Sequence, residues 1–425
     1  MYRTVNEVAD SLERPSRVSL TILFCANSIS GLGNQFTFIA VPWFVLETTG
    51  SAAKTGLTGF FTTFPILLMG FFGGTVVDRF GFKRTSVFSD STSGLIVALI
   101  PLLFHTIGLA FWQLLGLVFL RTLLAGPGNI GRQSLIPDLA RIGNVGLERT
   151  NAISQASGRI TSLMGPLLAG ALIAIIGTSN LLWLDAGSFF LSAIMIAVAI
   201  RSQPVHHVND HTVPYLTRLR AGFQFLRSDR LLRALLLAVS TTNLLAAPLY
   251  IVVFPVYAKA RFGKALDLGL MFTSIGIGAL IGSITFGVIG HRLPRRATFL
   301  GGVLATAMAD GLLALNPALP VVIMTLTLVG FAGSPINVLL MTIRQERVPA
   351  HVRGRVFGLM QAMNNLTVPL GMVVIGRLLQ QVGIRVTLLA IAVSYLPVAV
   401  ALFKNPAFHE MERPYNDASR RLSPT

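Results

Sequence analysis

Four of the ionisable side chains that stand within long apolar stretches, where a charge is costly, are candidates for a role in proton coupling. They are Asp90, Arg121, Asp185 and Asp310. Ionisable residues inside membrane-spanning segments are rare and are candidates for ion or proton pathways. We therefore interpret Asp90, Asp185 and Asp310 as carboxylates that could bind a proton. The alternative is a structural role, in which Asp90 forms an ion pair with Arg121 or Lys83.

Uncharged polar side chains in the same apolar stretches could bind a small molecule. We expect Asn34, Gln35, Asn243, Asn337 and Asn364 to line a cavity, because their carboxamides both donate and accept hydrogen bonds. With few charges and otherwise apolar walls, such a cavity would suit amphiphilic cations or neutral lipophiles.

The elements that position these residues must be membrane helices. The 425 residues are 53% hydrophobic and 12% charged, with a mean hydropathy of +0.69, whereas soluble proteins carry about 25% charged residues. The net charge of +17 comes from basic residues between apolar runs, which argues against a nucleic-acid partner. Cys25 is the single cysteine, so an intrachain disulfide is excluded, and we expect its thiol to be buried.

Twelve stretches are long enough to cross a bilayer as helices, since about 20 apolar residues suffice. They span approximately 18–44, 52–77, 84–107, 109–131, 150–176, 179–200, 230–258, 265–290, 297–315, 318–342, 355–380 and 385–403. Lys and Arg number 26 on the side that holds both termini and 6 on the other. This bias predicts an all-α membrane protein with both termini in the cytoplasm.

The two halves of the chain resemble each other. Gln155-Ala156, Gly165 and Gly170 recur as Gln361-Ala362, Gly371 and Gly376, each 206 positions later. We therefore predict two pseudo-symmetric six-helix bundles, 18–200 and 230–403, with a substrate cavity between them. Residues 1–17 would form a cytoplasmic N-terminal segment, 201–229 a cytoplasmic linker and 404–425 a cytoplasmic tail. His206, His207 and His211 fall in the linker, without the spacing of a metal site.

Such a duplicated bundle fits transport better than catalysis. The sequence contains no H-E-x-x-H, G-x-S-x-G or Walker phosphate-loop motif. We therefore expect neither an enzyme, nor a cofactor or metal, nor direct ATP drive.

The turn after the second stretch reads G-G-T-V-V-D-R-F-G-F-K-R over 73–84, which resembles the signature of the major facilitator superfamily. The resemblance implies a conformational gate at the cytoplasmic side, centred on Asp78. Phe82 departs from a position that is usually basic in the family. The implied gate residues are Gly73, Gly74, Asp78, Arg79, Gly81, Lys83 and Arg84.

Further segments are similar to the drug- and siderophore-exporter branch of that superfamily, which includes macrolide efflux pumps and the enterobactin exporter. They read S-I-S-G-L-G-N-Q over 28–35, G-R-Q-S-L-I-P-D-L over 131–139 and L-D-A-G-S-F-F over 184–190. Arg121 resembles the buried arginine that takes part in proton coupling in the family. The fifth stretch resembles the antiporter signature, through Gly158, Arg159, Gly165, Pro166 and Gly170; ordinary packing around one proline is the alternative reading.

The resemblance implies a proton-coupled exporter of amphiphilic small molecules that works by alternating access. An importer, or a lipid or metabolite transporter of the same fold, is the alternative function. The expected partners are a small-molecule substrate, protons and membrane lipids, with the protein acting as a monomer in a bacterial inner membrane.

Overall fold

The computed structural model describes the backbone of residues 2–200, 223–349 and 353–412. It describes the side chains of the same ranges apart from 2–17, 70–75, 78, 354 and 355. Every regular element in these ranges is helical, as the composition predicts. The predicted linker histidines, His206, His207 and His211, lie outside the described residues.

Six long helices make up the first half of the chain. They are α1 (Tyr2–Thr49), α2 (Ala52–Phe80), α3 (Phe82–Thr106), α4 (Phe111–Ile142), α5 (Leu147–Ile176) and α6 (Thr178–Ala199). Several run well past the apolar stretch from which they were predicted. Hydropathy marks the part of a helix that meets lipid and does not mark the residue at which its backbone hydrogen bonds end.

The second half begins with a helical turn over 223–228 and continues with five longer helices. Helix α7 (Arg230–Arg261) contains a π-helical turn over Leu249–Val253, directly after Pro248. It is followed by α8 (Ala265–Ile289), α9 (Arg295–Leu313), α10 (Leu319–Arg347) and α11 (Arg353–Lys404). Helix α11 is broken at Gly383, whose φ of 79° and ψ of 174° are not helical.

Nine helices of the described residues are long and apolar enough to cross a membrane, so the protein is an integral membrane protein. The expected spans at 52–77 and 297–315 form α2 and α9 but are not among the nine. The expected spans at 355–380 and 385–403 are the two arms of α11 and count once. The total of twelve crossings stays a prediction.

The chain separates into two compact units. The first comprises Met1–Thr48 and Phe61–Val208, and the second comprises Thr49–Phe60 and Asn209–Thr425. The first turns of α2 thus group with the second unit, although the sequence prediction assigns them to the bundle over 18–200. In the first unit, Leu23 of α1, Leu135 of α4 and Ile196 of α6 belong to one buried apolar cluster.

The prediction of a buried thiol at Cys25 was wrong, because this side chain is exposed on α1. An apolar stretch alone does not distinguish a helix face that packs inside the protein from one that meets lipid. The neighbouring residues Leu23 and Ala26 occupy the buried face, and Cys25 points away from it.

The predicted cytoplasmic tail, 404–425, begins with an ordered element. A 3₁₀ helix over Pro406–Glu412 buries Phe408 and Met411 against the second unit. The carboxylate of Glu412 accepts hydrogen bonds from the backbone N–H groups of Arg295 and Arg296, at 3.2 and 2.9 Å, and so caps the start of α9. This contact adds a negative charge at the positive end of the helix dipole.

Arg347 connects the same element to two helices. Its guanidinium lies 3.1 Å from the carboxylate of Asp229, which caps α7, and 2.9 Å from that of Glu410. Next to it, Glu346 of α10 accepts two hydrogen bonds from Arg295, and these raise the pKa of Arg295 above its ordinary value. These charges join the ends of α7, α9 and α10 to the residues that follow α11.

We expect Arg347→Ala to lower the free energy of unfolding by about 1–2 kcal/mol, because it leaves the half-buried Asp229 carboxylate without its cation. The thermal unfolding midpoint of purified protein in mild detergent measures this. Arg292→Ala is the matched control, since Arg292 is exposed and bonds only to the adjacent His291 among the described contacts. Equal midpoints for the two variants would contradict the role given to Arg347.

Candidate functional site

A cavity of about 730 Å³ lies within the first unit, between α1, α4 and α5. The lining residues of each helix are mostly three or four positions apart, so they lie on one face of that helix. The lining residues are Phe24, Asn27, Gly31, Asn34 and Gln35 from α1; Asn129, Arg132, Gln133 and Ile136 from α4; and Asn151, Ser154, Gln155, Ser157, Gly158, Thr161 and Ser162 from α5.

The wall of this cavity is polar. Seven carboxamides and four hydroxyl groups face it, together with the guanidinium of Arg132, and no carboxylate is among its lining residues. This polar wall differs from the apolar cavity expected between the two bundles, and that cavity stays a prediction. The predicted residues Asn34 and Gln35 do line the polar cavity, whereas the lining residues of α4 and α5 were missed. The sequence contains a pattern that could have identified the residues of α5, because Asn151, Ser154, Gln155 and Ser162 recur at helical spacing on one face of this helix.

Close contact between α1 and α5 shapes the cavity. The hydroxyls of Ser28 and Ser157 lie 2.6 Å apart. Gly165 is buried against Gln35, and a Cβ atom at this glycine would lie 2.5 Å from the Gln35 Cβ. Pro166 and Gly170 are also buried. These three residues of the predicted antiporter-like helix therefore form its packed face.

The other two residues of that predicted set have different surroundings. Gly158 lines the cavity and has open space next to its Cα atom. Arg159 is exposed on α5 and is not among the cavity-lining residues.

Asp90 forms a buried ion pair with Arg132, and the two residues are 2% and 6% exposed. Ser192 of α6 donates a 2.6 Å hydrogen bond to the second oxygen of Asp90, and Asn129 accepts one from Arg132 at 2.5 Å. The prediction that Asp90 pairs with Arg121 or Lys83 was wrong. Arg132 follows the apolar stretch 109–131 and resembles a loop residue, but α4 continues to Ile142 and carries it into the interior.

Arg121 and Asp185 form a second polar group in the same unit. Arg121 donates a hydrogen bond to the Asn34 carbonyl oxygen at 2.5 Å, and its guanidinium lies 5.2 Å from the centre of the Phe189 ring. Asp185 is fully buried and accepts a hydrogen bond from Thr37. Arg121 interacts electrostatically with both Asp185 and Asp90. The first unit therefore places two buried carboxylates and two arginines next to a cavity that Asn34 lines; Asp90 and Arg132 form an ion pair, and Asp185 accepts a hydrogen bond from Thr37.

The predicted gate residues are described only in part. Gly73, Gly74 and Asp78 lie outside the described side chains. Gly81 separates α2 from α3 with a φ of 81°, a left-handed conformation that favours glycine. Arg79 and Arg84 are exposed and Lys83 is half-buried.

The remaining predicted cavity residues belong to the second unit and are not among the lining residues of the described cavity. Asn364 is buried and accepts a hydrogen bond from Ser240 at 3.1 Å. Asn243 donates to the Asn364 backbone carbonyl at 3.4 Å, so both belong to the contact between α7 and α11. Asn337 is exposed on α10. The last proton candidate, Asp310, is 3% exposed on α9.

We expect Gly165→Ala to destabilise the protein by about 1–3 kcal/mol, because the added methyl group overlaps Gln35 and forces α1 away from α5. Gly158→Ala is the matched control on the same helix. Its methyl group meets open space, and alanine is favoured over glycine within a helix by about 1 kcal/mol. Thermal unfolding midpoints check both, and a stabilised Gly165→Ala would contradict the close packing.

We expect Arg132→Gln to cost about 3–5 kcal/mol of stability, since it leaves the Asp90 carboxylate buried without a cation. Adding Asp90→Asn removes the uncompensated charge and should restore a large part of the loss. The unfolding midpoints of the single and double variants measure this difference. A double variant no more stable than Arg132→Gln alone would refute the pairing.

Comparison with known proteins places the chain in a family. The model of the family MFS_3, described as transmembrane secretion effector, matches residues 15–424. The multidrug efflux pump Tap of Mycobacterium tuberculosis is 30% identical over 92% of this chain and 94% of its own length. The enterobactin exporter EntS of Salmonella typhimurium is 26% identical over 84% of both chains.

Solved structures agree on the fold. The nucleoside transporter NupG aligns with a TM-score of 0.74 at 13% identity, over 91% of this chain and 99% of that one. A bacterial homologue of the lysosomal transporter Spinster aligns with a TM-score of 0.71 at 14% identity, over 94% and 98%. The similarity to the drug- and siderophore-exporter branch is confirmed, and the chain belongs to the MFS_3 family of the major facilitator superfamily of transporters.

Proposed function

We propose that this chain is a secondary active exporter that carries amphiphilic small molecules out of the cytoplasm in exchange for protons. The observation that carries the proposal is the cavity of the first unit, where eleven carboxamide and hydroxyl groups face about 730 Å³ between otherwise apolar helices. Polar groups in membrane helices are costly unless they serve a ligand or an aqueous path. The names of the relatives Tap and EntS support the outward direction of transport.

The cavity wall supports substrates with many hydrogen-bonding groups. Carboxamides bind donors and acceptors alike, and Asp90 neutralises the charge of Arg132. No carboxylate is among the described residues that line the cavity, so this part of the wall carries no negative charge that would select a cation. Phe24 and Ile136 provide contacts for the apolar part of an amphiphile. We therefore infer a neutral or anionic polar portion on the preferred substrate.

Alternating access would expose this cavity first to the cytoplasm and then to the outside. Residues 73–84, centred on Asp78, are the proposed gate, and both termini are proposed to be cytoplasmic in a bacterial inner membrane. Asp90, Arg121, Asp185 and Asp310 are the candidates that would couple the cycle to protons. A monomer surrounded by lipid is sufficient for this cycle.

The alternative is an importer, or a lipid or metabolite transporter, of the same fold. NupG and the Spinster homologue are 13% and 14% identical to this chain, so they support the fold and not a substrate. Direction separates the two functions, because an importer accumulates the compound in whole cells whereas an exporter lowers its level.

Everted membrane vesicles test the proposal with tetracycline, a fluorescent amphiphile rich in hydroxyl, amide and carbonyl groups. We expect tetracycline to accumulate in vesicles that contain the protein when their interior is acidic, and to leave when the pH gradient is collapsed. Gln155→Leu should raise the half-saturating concentration about fivefold, because one hydrogen bond of about 1 kcal/mol is lost.

Gln381→Leu is the matched control, since Gln381 is exposed on α11 and does not line the cavity. It should keep the wild-type half-saturating concentration. Accumulation that ignores the pH gradient would argue against proton exchange, and equal effects of the two substitutions would argue against the cavity as the substrate site.

A further inference from the structure

A second pocket, of about 500 Å³, lies at the end of the first unit where α1, α3 and α5 finish and α6 begins. We call it the end pocket. Its lining residues are Phe44, Glu47 and Thr48 of α1; Phe104 and His105 of α3; Ile176 and Gly177 at the end of α5; and Thr178, Ser179 and Asn180 of α6. None of them lines the cavity between α1, α4 and α5, so the proposed function assigns no role to this pocket.

Two buried donors hold the Glu47 carboxylate of the end pocket in one orientation. The indole Nε1 of Trp43 donates to its Oε1 atom at 2.7 Å, and the hydroxyl of Thr178 donates to its Oε2 atom at 2.7 Å. Trp43 and Thr178 are buried, whereas Glu47 itself is exposed. A carboxylate has acceptor sites for about four hydrogen bonds, so each oxygen can accept another from a ligand. Glu47 is therefore an oriented anion that is open to the pocket.

The helix ends that build the end pocket carry no Lys or Arg to compensate this charge. Both residue types are absent from 18–53, 85–120 and 160–200, the stretches that contain every lining residue. The next basic residue along the chain, Lys54, groups with the second unit. Among the described residues, no ion pair includes Glu47.

Helix dipoles add to the negative charge of the end pocket. Three helices, α1, α3 and α5, finish there, and one, α6, begins there. The C-terminus of a helix carries a partial negative charge that favours a cation, and the N-terminus carries the opposite charge. With three C-termini and one N-terminus, the backbone and Glu47 both favour a positively charged ligand.

Aromatic rings form the apolar wall of the end pocket. Phe44 and Phe104 meet edge to face with ring centres 5.1 Å apart, and His105 packs against Phe104 with ring centres 5.2 Å apart. Phe44 is buried, but Phe104 is 39% exposed, so a ligand can reach its ring. Cations are attracted both to aromatic faces and to carboxylates. The pocket therefore combines an apolar surface with one fixed anion.

We propose that the end pocket is a second ligand site, which binds a small amphiphile that carries an ammonium group on an aromatic or other flat apolar body. The ammonium group donates to Glu47, and the apolar body lies against Phe104. The volume is that of sites for drug-sized molecules, which measure about 300–1,000 Å³. On the proposed topology the end pocket faces the outside. The inference does not rest on the proposed function, because binding here needs no transport.

Two matched probes test the site on the full-length protein in micelles of the uncharged detergent dodecyl maltoside. 2-Naphthylmethylamine is a cation at neutral pH, and 2-naphthalenemethanol carries a neutral hydroxyl on the same ring system. Titration calorimetry measures both dissociation constants. We expect the wild type to bind the amine about tenfold more tightly, because only the amine forms a charged hydrogen bond with Glu47. Equal dissociation constants would overturn the proposal.

Substitutions locate the binding. Glu47→Gln should weaken the amine about tenfold and leave the alcohol unchanged, since it removes the charge and keeps the volume. Glu148→Gln is the matched control, because Glu148 is exposed in the first turn of α5, at the opposite end of that helix. Phe104→Leu leaves the hydrogen bonds of Glu47 in place and should weaken both probes about threefold. It keeps the site testable if Glu47→Gln does not fold. A Glu47→Gln protein with a lower unfolding midpoint but unchanged amine affinity would show a structural role only and refute the site.

The ammonium group can belong to a free amine or to a phospholipid headgroup, and added lipid separates these sources. Phosphatidylethanolamine carries an amine, and phosphatidylglycerol, which carries none, is the control lipid. If only phosphatidylethanolamine weakens the amine probe in the wild type, a lipid headgroup is the ligand and the ammonium site is supported. If neither lipid does so while Glu47→Gln still weakens the probe, a free amine is the ligand and the site is supported. Amine binding that neither Glu47→Gln nor Phe104→Leu weakens would contradict it.

Discussion

The buried ion pair between Asp90 and Arg132 is the constraint on which the first unit depends. It joins α3 to α4, and Ser192 extends it to α6 through the second carboxylate oxygen. Ser30 of α1 lies 3.5 Å from the first oxygen. Four helices therefore meet at one neutralised pair of charges, and removing either partner would leave the other charge buried without compensation. The position of α4, and with it one wall of the cavity, follows from this contact.

The shape of the cavity also depends on a second contact, which is the close approach of α1 and α5. Gly165 allows Gln35 to pack against the backbone of α5, and Ser28 and Ser157 hold the same two helices together about two turns away. Helices α1 and α5 pack tightly along one stretch and leave a polar space along another. Both are possible because small residues and carboxamides alternate at helical spacing. The same face of α5 carries both.

Much of this could be predicted from the sequence. Hydropathy identified the helices, and polar residues in an apolar stretch identified Asn34 and Gln35 as cavity residues. The partner of Asp90 could not be identified, because Arg132 is 42 positions away and looks like a loop cation when the end of α4 is unknown. The 3₁₀ helix over Pro406–Glu412 was missed for a similar reason. The charged residues of this element suggest solvent exposure, yet Glu410 forms an ion pair with Arg347 and Glu412 caps the start of α9.

The repeat shows why the two halves need not do the same chemistry. An offset of 212 positions relates Lys83 to Arg295 and Arg132 to Arg344, and it brings Asp90 to Gly302. A Cβ atom at Gly302 would lie 2.6 Å from the backbone oxygen of Ala332, so close helix packing replaces the ion pair there.

The same offset brings Asp310 back to Ala98, which carries no charge. The basic residues of the turns are thus kept in both halves, whereas the buried carboxylates are not. Topology selection acts on the basic residues of the turns in each half, whereas it does not require a buried carboxylate to recur. The two halves therefore share their orientation signals, while their buried charges differ.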